Sequence, residues 1–168
     1  MYEPHSEEVS LSRGDILDDC LLPIGVDLTR VGSADVEQVA MQARVIVLTQ
    51  ACDLAQGKTT KVLVAVVNEA RVLVEQGILK PATIRDTIRR HQVFGWYFLP
   101  ASTSSVQFPE SIVDLRELHT LHRGILERMI TEGKRVCRLA TPYREHLAQH
   151  FGVAYMRIGL PEPYPTKP

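Results

Sequence analysis

Gln50, Cys52 and Asp53 stand within four positions of one another in VIVLTQACDL, residues 45–54, where a run of apolar and β-branched residues stops. A strand's carboxyl end is where open sheets commonly present ligand-binding groups, and Arg44 opens the same strand. A thiol beside a carboxylate is not an activated nucleophile, because a neighbouring negative charge disfavours the thiolate. Reactive sulfur at Cys52 therefore requires a cation or an imidazole from elsewhere in the fold, and His119, His122, His146 and His150 are the candidates. Arg44, Cys52 and Asp53 are read as candidate catalytic groups and Gln50 as a binding group. The competing reading makes Cys52 a small buried hydrophobe and Asp53 the tie of the following turn.

The histidines carry a second possibility. His146 and His150 stand at i and i+4, and His119 and His122 at i and i+3, spacings that place two imidazoles on one metal if both segments are helical. Cys52, Asp53, His146 and His150 then form a mixed-ligand alternative. Arg157 falls near the same edge of the helical wheel and would repel a divalent cation. That edge suits an anion better, with Arg144, His146, His150 and Arg157 as binding residues. Arg85 and Arg89 in PATIRDTIRRH form another exposed basic face, with Arg90 on a different flank; Asp86 dilutes it and no aromatics interleave for base stacking.

The elements that must position these groups are short and mixed. DILDDCLLP (15–23) reads as a strand. VEQVAMQARVIVLTQ contains two short strands or one bent one, and KVLVAVV (61–67) matches its apolar second half; both have the two-faced apolar character of central strands. NEARVLVEQG, with Asn68 as N-cap and Gly77 as stop, and PATIRDTIRRH read as short helices. GWYFLP, ESIVDL and KRVCRLA read as further strands. In TPYREHLAQHFGVAYMRIG, Thr141 is the expected N-cap, Pro142 the first helical residue and Gly159 the stop. Tyr143, Leu147, Phe151, Ala154, Tyr155 and Ile158 make its core stripe. Strand and helix do not alternate regularly. The expectation is an α+β fold, a small twisted antiparallel sheet or SH3-like half-barrel packed against an amphipathic C-terminal helix.

The 168 residues fit one domain over 1–160, with an extended proline-rich tail over 161–168. No run approaches the roughly 18 apolar residues of a membrane span, and the acidic N-terminus has no apolar signal core. A cytoplasmic location without membrane association is expected. Cys20, Cys52 and Cys137 lack C-x-x-C spacing, which argues for free thiols, Cys20 and Cys137 being core residues. Net charge is −1 overall; residues 1–57 hold 3 basic and 10 acidic residues and the remainder 16 and 10. The chain as a whole is thus no polyelectrolyte binder. No Walker A, G-x-G-x-x-G, H-E-x-x-H or G-x-S-x-G pattern occurs, and no cofactor is expected.

VIVLTQACDL and RLATPYREHLAQHFGVAYMRIGLP together resemble a group of small bacterial and phage-associated proteins of no established activity. Its marks are a [ST]-Q-x-C-D sequence after a hydrophobic strand and a closing S/T-P-Y-R-E-H-L helix. More weakly, RGDIL (13–17) and ARVIVLT (43–49) are similar to PemK/MazF-type toxin barrels, SH3-like folds that cut RNA. That resemblance implies a barrel and makes Arg44 the match of the catalytic arginine. Val45 replaces the proline that usually follows it, and no later Ser/Thr partner is evident. The combined reading is a prokaryotic accessory protein, phage- or toxin-related, that binds a nucleic acid or protein partner through Arg44, Gln50, Cys52 and Asp53. The alternatives are an endoribonuclease relative, a Cys52-dependent hydrolase and a metal-binding protein.

Overall fold

Alternation of side chains decides the architecture. In the computed structural model, which describes residues 1–4, 10–26, 38–104 and 106–156, the strand β3 (Gln38–Val47) sends Val45 and Val47 to one apolar cluster and Ile46 to another. β4 (Lys61–Glu69) does the same with Val62, Val64 and Val66 against Ala65 and Val67. Successive residues of a strand face opposite sides, so a strand apolar at every position must be covered on both faces, as these two are.

The sheet has seven antiparallel strands in the order β1-β7-β2-β3-β4-β6-β5 and curls into a half-barrel. β1 is Tyr2–Glu3, β2 Asp15–Val26, β5 Trp96–Leu99, β6 Ser111–His122 and β7 Arg135–Leu139. Register shifts in β2 and β6 bend it. β2 changes register between Leu17 and Cys20, where Asp19 adopts a φ of 59°. β6 passes from Asp114 to Leu118 while its partner β4 advances only from Val66 to Ala65, which throws Leu115–Glu117 out of the ladder. Extra residues on one strand increase local twist, and twist is what closes a flat sheet toward a barrel.

Helices cover the two faces. α1 (Ala51–Ala55) and α4 (Arg123–Thr131) bring Leu54, Leu126, Met129 and Ile130 to the first cluster. α5 (Tyr143–Tyr155) brings Leu147 and Phe151 to the second, and its Tyr155 hydroxyl donates to the Leu115 carbonyl in the β6 bulge at 2.6 Å. α2 (Ala70–Glu75) and α3 (Pro81–Thr83), which continues as a π-helical turn over Ile84–Ile88, enclose a third cluster on Trp96, Phe98 and Ile112. No helix among the described residues is long and apolar enough to cross a membrane.

Several local expectations change. Of the two alternatives for VEQVAMQARVIVLTQ, its described residues take the single strand, Gln38–Val47. Asn68 lies inside β4, so that Glu69 caps α2, and Pro142 rather than Thr141 occupies the cap position of α5. His119 and His122 lie on β6 rather than on a helix, and their odd separation sends them to opposite faces. α4 was not foreseen. Gly159, Ile158 and the tail at 161–168 lie outside the described residues.

The turn Ser12-Arg13-Gly14-Asp15 joins the sheet together. Gly14 donates its N–H to the Val47 carbonyl and accepts from the Leu139 N–H, both at 2.9 Å, so one residue links β3 to β7. Its φ is +83°, a region that disfavours side chains. A Cβ there would also stand 3.2 Å from the Cβ atoms of both Leu139 and Arg144. Asp15 is fully buried; its carboxylate accepts from Arg138 Nε at 2.6 Å and Nη2 at 3.1 Å and from the Ser12 N–H at 2.8 Å. Gly14→Ala is expected to lower the unfolding free energy by about 2 kcal/mol in urea titration, and a loss below about 0.5 kcal/mol would show that the turn tolerates a side chain.

Candidate functional site

The strand-end group is built by a change of local structure. β3 ends at Val47, and after Leu48 and Thr49 the chain turns into the single helical turn α1 with Gln50 as its cap. Leu54 is buried and anchors the turn, leaving Cys52 exposed on its outer side. The Cys52 thiol lies 3.5 Å from Gln50 Oε1 and 3.8 Å from Asp53 Oδ1, and can donate its single proton to one of them at a time. Among the described residues neither an imidazole nor a cation contacts the sulfur. Asp53 does not tie the turn with its carboxylate; its main-chain carbonyl does, accepting from the Lys58 N–H at 3.0 Å. Thus the sulfur is accessible, and its described side-chain neighbours are an amide and a carboxylate.

Gln50 and Asp53 line one side of a recess of about 600 Å³. Arg13 lines it too, with its Nε donating to the Leu48 carbonyl at 3.2 Å. The opposite wall is α5, through Ala148, Gln149 and Gly152. His146 and His150 are not in this wall.

Arg44 belongs to a different place. Its guanidinium makes a two-pronged ion pair with Asp18, through Nε to Oδ1 and Nη2 to Oδ2, the latter at 2.9 Å, and lies over the Phe108 ring at 5.2 Å. The hydrogen bond to Asp18 holds its pKa above the ordinary arginine value against the opposing effect of burial. Asp19 and Glu69 share its shallow depression, so the surroundings are acidic. The four residues Arg44, Gln50, Cys52 and Asp53 therefore do not form one surface: the last three gather at the carboxyl end of β3, and Arg44 sits among acids farther back along the strand.

A cluster of titratable side chains lies on the other side of α5. His146 Nδ1 is 3.1 Å from the Tyr97 hydroxyl, which also reaches the Tyr143 carbonyl at 3.4 Å. His150 is buried, with Nε2 3.1 Å from the Trp96 carbonyl. Tyr143 and Tyr155, expected in that stripe, are instead exposed. Between the two histidines stands a third, His91, whose ring centroid is 4.6 Å from that of His146 and 5.7 Å from that of His150. Burial pushes the Tyr97 hydroxyl up to about 12 and moves His91 and His150 below the ordinary histidine value; neighbouring imidazoles add to the shift at both histidines.

His91 is the residue that sequence reading missed. It closes PATIRDTIRRH, and only tertiary contact brings it to α5. Its backbone is left-handed at φ 56°, and its Nδ1 is buried without a hydrogen-bond partner. Each of these features costs on the order of 1–3 kcal/mol, so the fold concentrates two unfavourable local terms at one residue.

The metal alternative finds no geometric support, since no three His, Cys, Asp or Glu side chains among the described residues are grouped to hold an ion. Cys52 and Asp53 lie across α5 from His146 and His150. Arg144 turns to Glu145 at 3.0 Å and to the Thr141 hydroxyl at 3.0 Å. Arg157 lies outside the described residues. Cys20 and Cys137 are buried free thiols, as expected. Compared with known proteins, the sequence matches no family model and no curated protein.

Lowered histidine pKa values imply a definite pH response. The unfolded chain takes up protons near the ordinary pKa of about 6.5, before folded His91 and His150 do. Their contribution is complete above that value and is lost as pH falls toward the folded-state values. His91→Asn, which keeps a residue tolerant of positive φ, is expected to flatten the fall of stability between about pH 6.5 and 5. Identical slopes in wild type and variant, measured by urea titration across this range, would remove the assignment.

Proposed function

We propose that the chain is a partner-binding accessory protein and that the strand-end surface of Gln50, Cys52 and Asp53 is the face it presents. The resemblance of its Q-x-C-D strand end and closing helix to small bacterial and phage-associated proteins supports placing it in a phage- or toxin-related setting. One observation carries the reading: the Cys52 thiol is exposed yet is contacted by an amide and a carboxylate rather than by an imidazole or a cation. Such a group is available for contact and poorly arranged for nucleophilic attack.

The partner that fits is a protein. Binding a nucleic acid backbone requires an excess of cations, whereas the recess beside Cys52 sets Asp53 against Arg13 among neutral polar and apolar groups. Its walls combine Leu48, Leu63 and Phe151 with Gln50 and Gln149, the mixed character of a protein interface. Ribonuclease action at Arg44 is the weaker reading. That guanidinium is already paired by Asp18, and Asp19 and Glu69 beside it repel a phosphate.

Affinity capture from the host with wild-type chain and with the double variant Gln50→Arg/Asp53→Arg tests the proposal. Both proteins should melt at the same temperature, because the altered side chains are not core, and the variant should lose about tenfold or more of a captured protein's affinity. Ester or RNA hydrolysis by the wild type that disappears in Cys52→Ser or Arg44→Gln would replace binding by catalysis. Salt-sensitive binding of single-stranded RNA, abolished by the same double variant, would replace the protein by a nucleic acid.

A further inference from the structure

The cavity between α5 and β5 is lined by Arg89, His91, Tyr97, Phe98, Tyr143 and His146 and has a volume of about 560 Å³. We infer that it is a binding site for a small planar organic anion, an aromatic ring carrying one phosphate or carboxylate head. The volume lies within the roughly 300–1,000 Å³ typical of small-ligand sites. It lies on the far side of α5 from the strand-end surface and does not depend on the partner reading.

Charge selects the head group. Neither Asp nor Glu lines the cavity. The guanidinium of Arg89 lies 5.6 Å over the Phe98 ring at its edge, and no described carboxylate pairs with it. Most of its counterparts are paired: Arg85 with Asp86, Arg71 with Glu75, Arg123 with Glu127, Arg116 with Asp114. An arginine held against an aromatic face and left without a counter-ion is an anion receptor, because its planar fork matches the oxygens of a phosphate or carboxylate. His146 adds a second contact. The Tyr97 hydroxyl occupies its Nδ1, which fixes the ring and leaves Nε2 as the edge that meets a ligand.

The walls select the body. Tyr143 presents aromatic surface, and Pro100 and Pro142 complete a rigid apolar lining, the setting in which a flat ring is held by stacking. His91 stands at the inner end with its left-handed backbone and partnerless Nδ1, features that cluster at ligand clamps more than in plain cores. Binding fits this arrangement better than phosphate cleavage. His91 and His146 meet edge to face at 4.6 Å between centroids, leaving no space for a phosphate between two acid–base groups.

Calorimetric titration of the full chain with adenosine 5′-monophosphate, adenosine, inorganic phosphate and benzoate tests the inference. A ring and an anion on one molecule should bind about tenfold more tightly than either alone, with perturbation of the His146 ring signals in NMR spectra. Preference for adenosine 5′-monophosphate over benzoate identifies a phosphate head, and the reverse a carboxylate. Arg89→Gln should leave the melting temperature unchanged, since the side chain is exposed, and should weaken binding about tenfold. Absence of saturable binding by all four probes at millimolar concentration, or affinity unchanged in Arg89→Gln, would overturn it.

Discussion

A fully buried carboxylate with two arginines in its reach holds the sheet in its observed order. Asp15 receives both nitrogens of one edge of the Arg138 guanidinium, Arg135 stands 3.7 Å away, and the Ser12 N–H completes its contacts. Arg138 and Arg135 also donate to the Ser10 carbonyl. Removing a carboxylate from water carries a penalty of several kcal/mol that its partners must offset, so these contacts form together or the turn does not form. The consequence is topological. β7 arrives late in the chain, yet it is paired to the strand that begins at Asp15, and Gly14 adds hydrogen bonds to Val47 and Leu139 on either side. Arrangements that leave β7 on an edge would expose this ion pair or break it.

The two polar regions of the protein follow from where β7 ends. α5 starts four residues after Leu139, with Arg144 packed against Gly14, so the turn that pins β7 also aims the helix. Leu147 points into the second core cluster and fixes the helix about its own axis. His146 and His150 then face β5 and meet His91 and Tyr97, while Ala148, Gln149 and Gly152 face the end of β3. One helix thereby separates an exposed thiol from an imidazole cluster.

Much of the sheet is legible in the sequence because burial on both faces leaves unbroken apolar runs, as in VIVL and VLVAVV. Cys20 and Cys137 are legible as core for the same reason, each lying among apolar strand neighbours. The strand end at Gln50–Asp53 is legible from the abrupt loss of hydrophobicity after Leu48. The second half of β6 is not, since RELHTLH follows a bulge that shifts its pairing and contains histidines spaced as on a helix. α4 escaped notice because its buried Leu126, Met129 and Ile130 lie in a charged segment whose mean character is polar. The partner of Arg44 lies 26 positions earlier at Asp18, and no local signal distinguishes a catalytic arginine from a paired one. His91 is harder still: it is a histidine at the end of a basic helix until α5 folds over it.

A double-mutant cycle on Asp15→Asn and Arg138→Gln, read by urea unfolding, addresses the organising ion pair most directly. The buried pair predicts single-variant losses of about 3–5 kcal/mol and a coupling energy of at least about 1.5 kcal/mol, with the Gly14 and Leu139 amides losing hydrogen-exchange protection together. Additive losses, or a coupling below about 0.5 kcal/mol, would contradict the view that this carboxylate holds β7 and α5 in place.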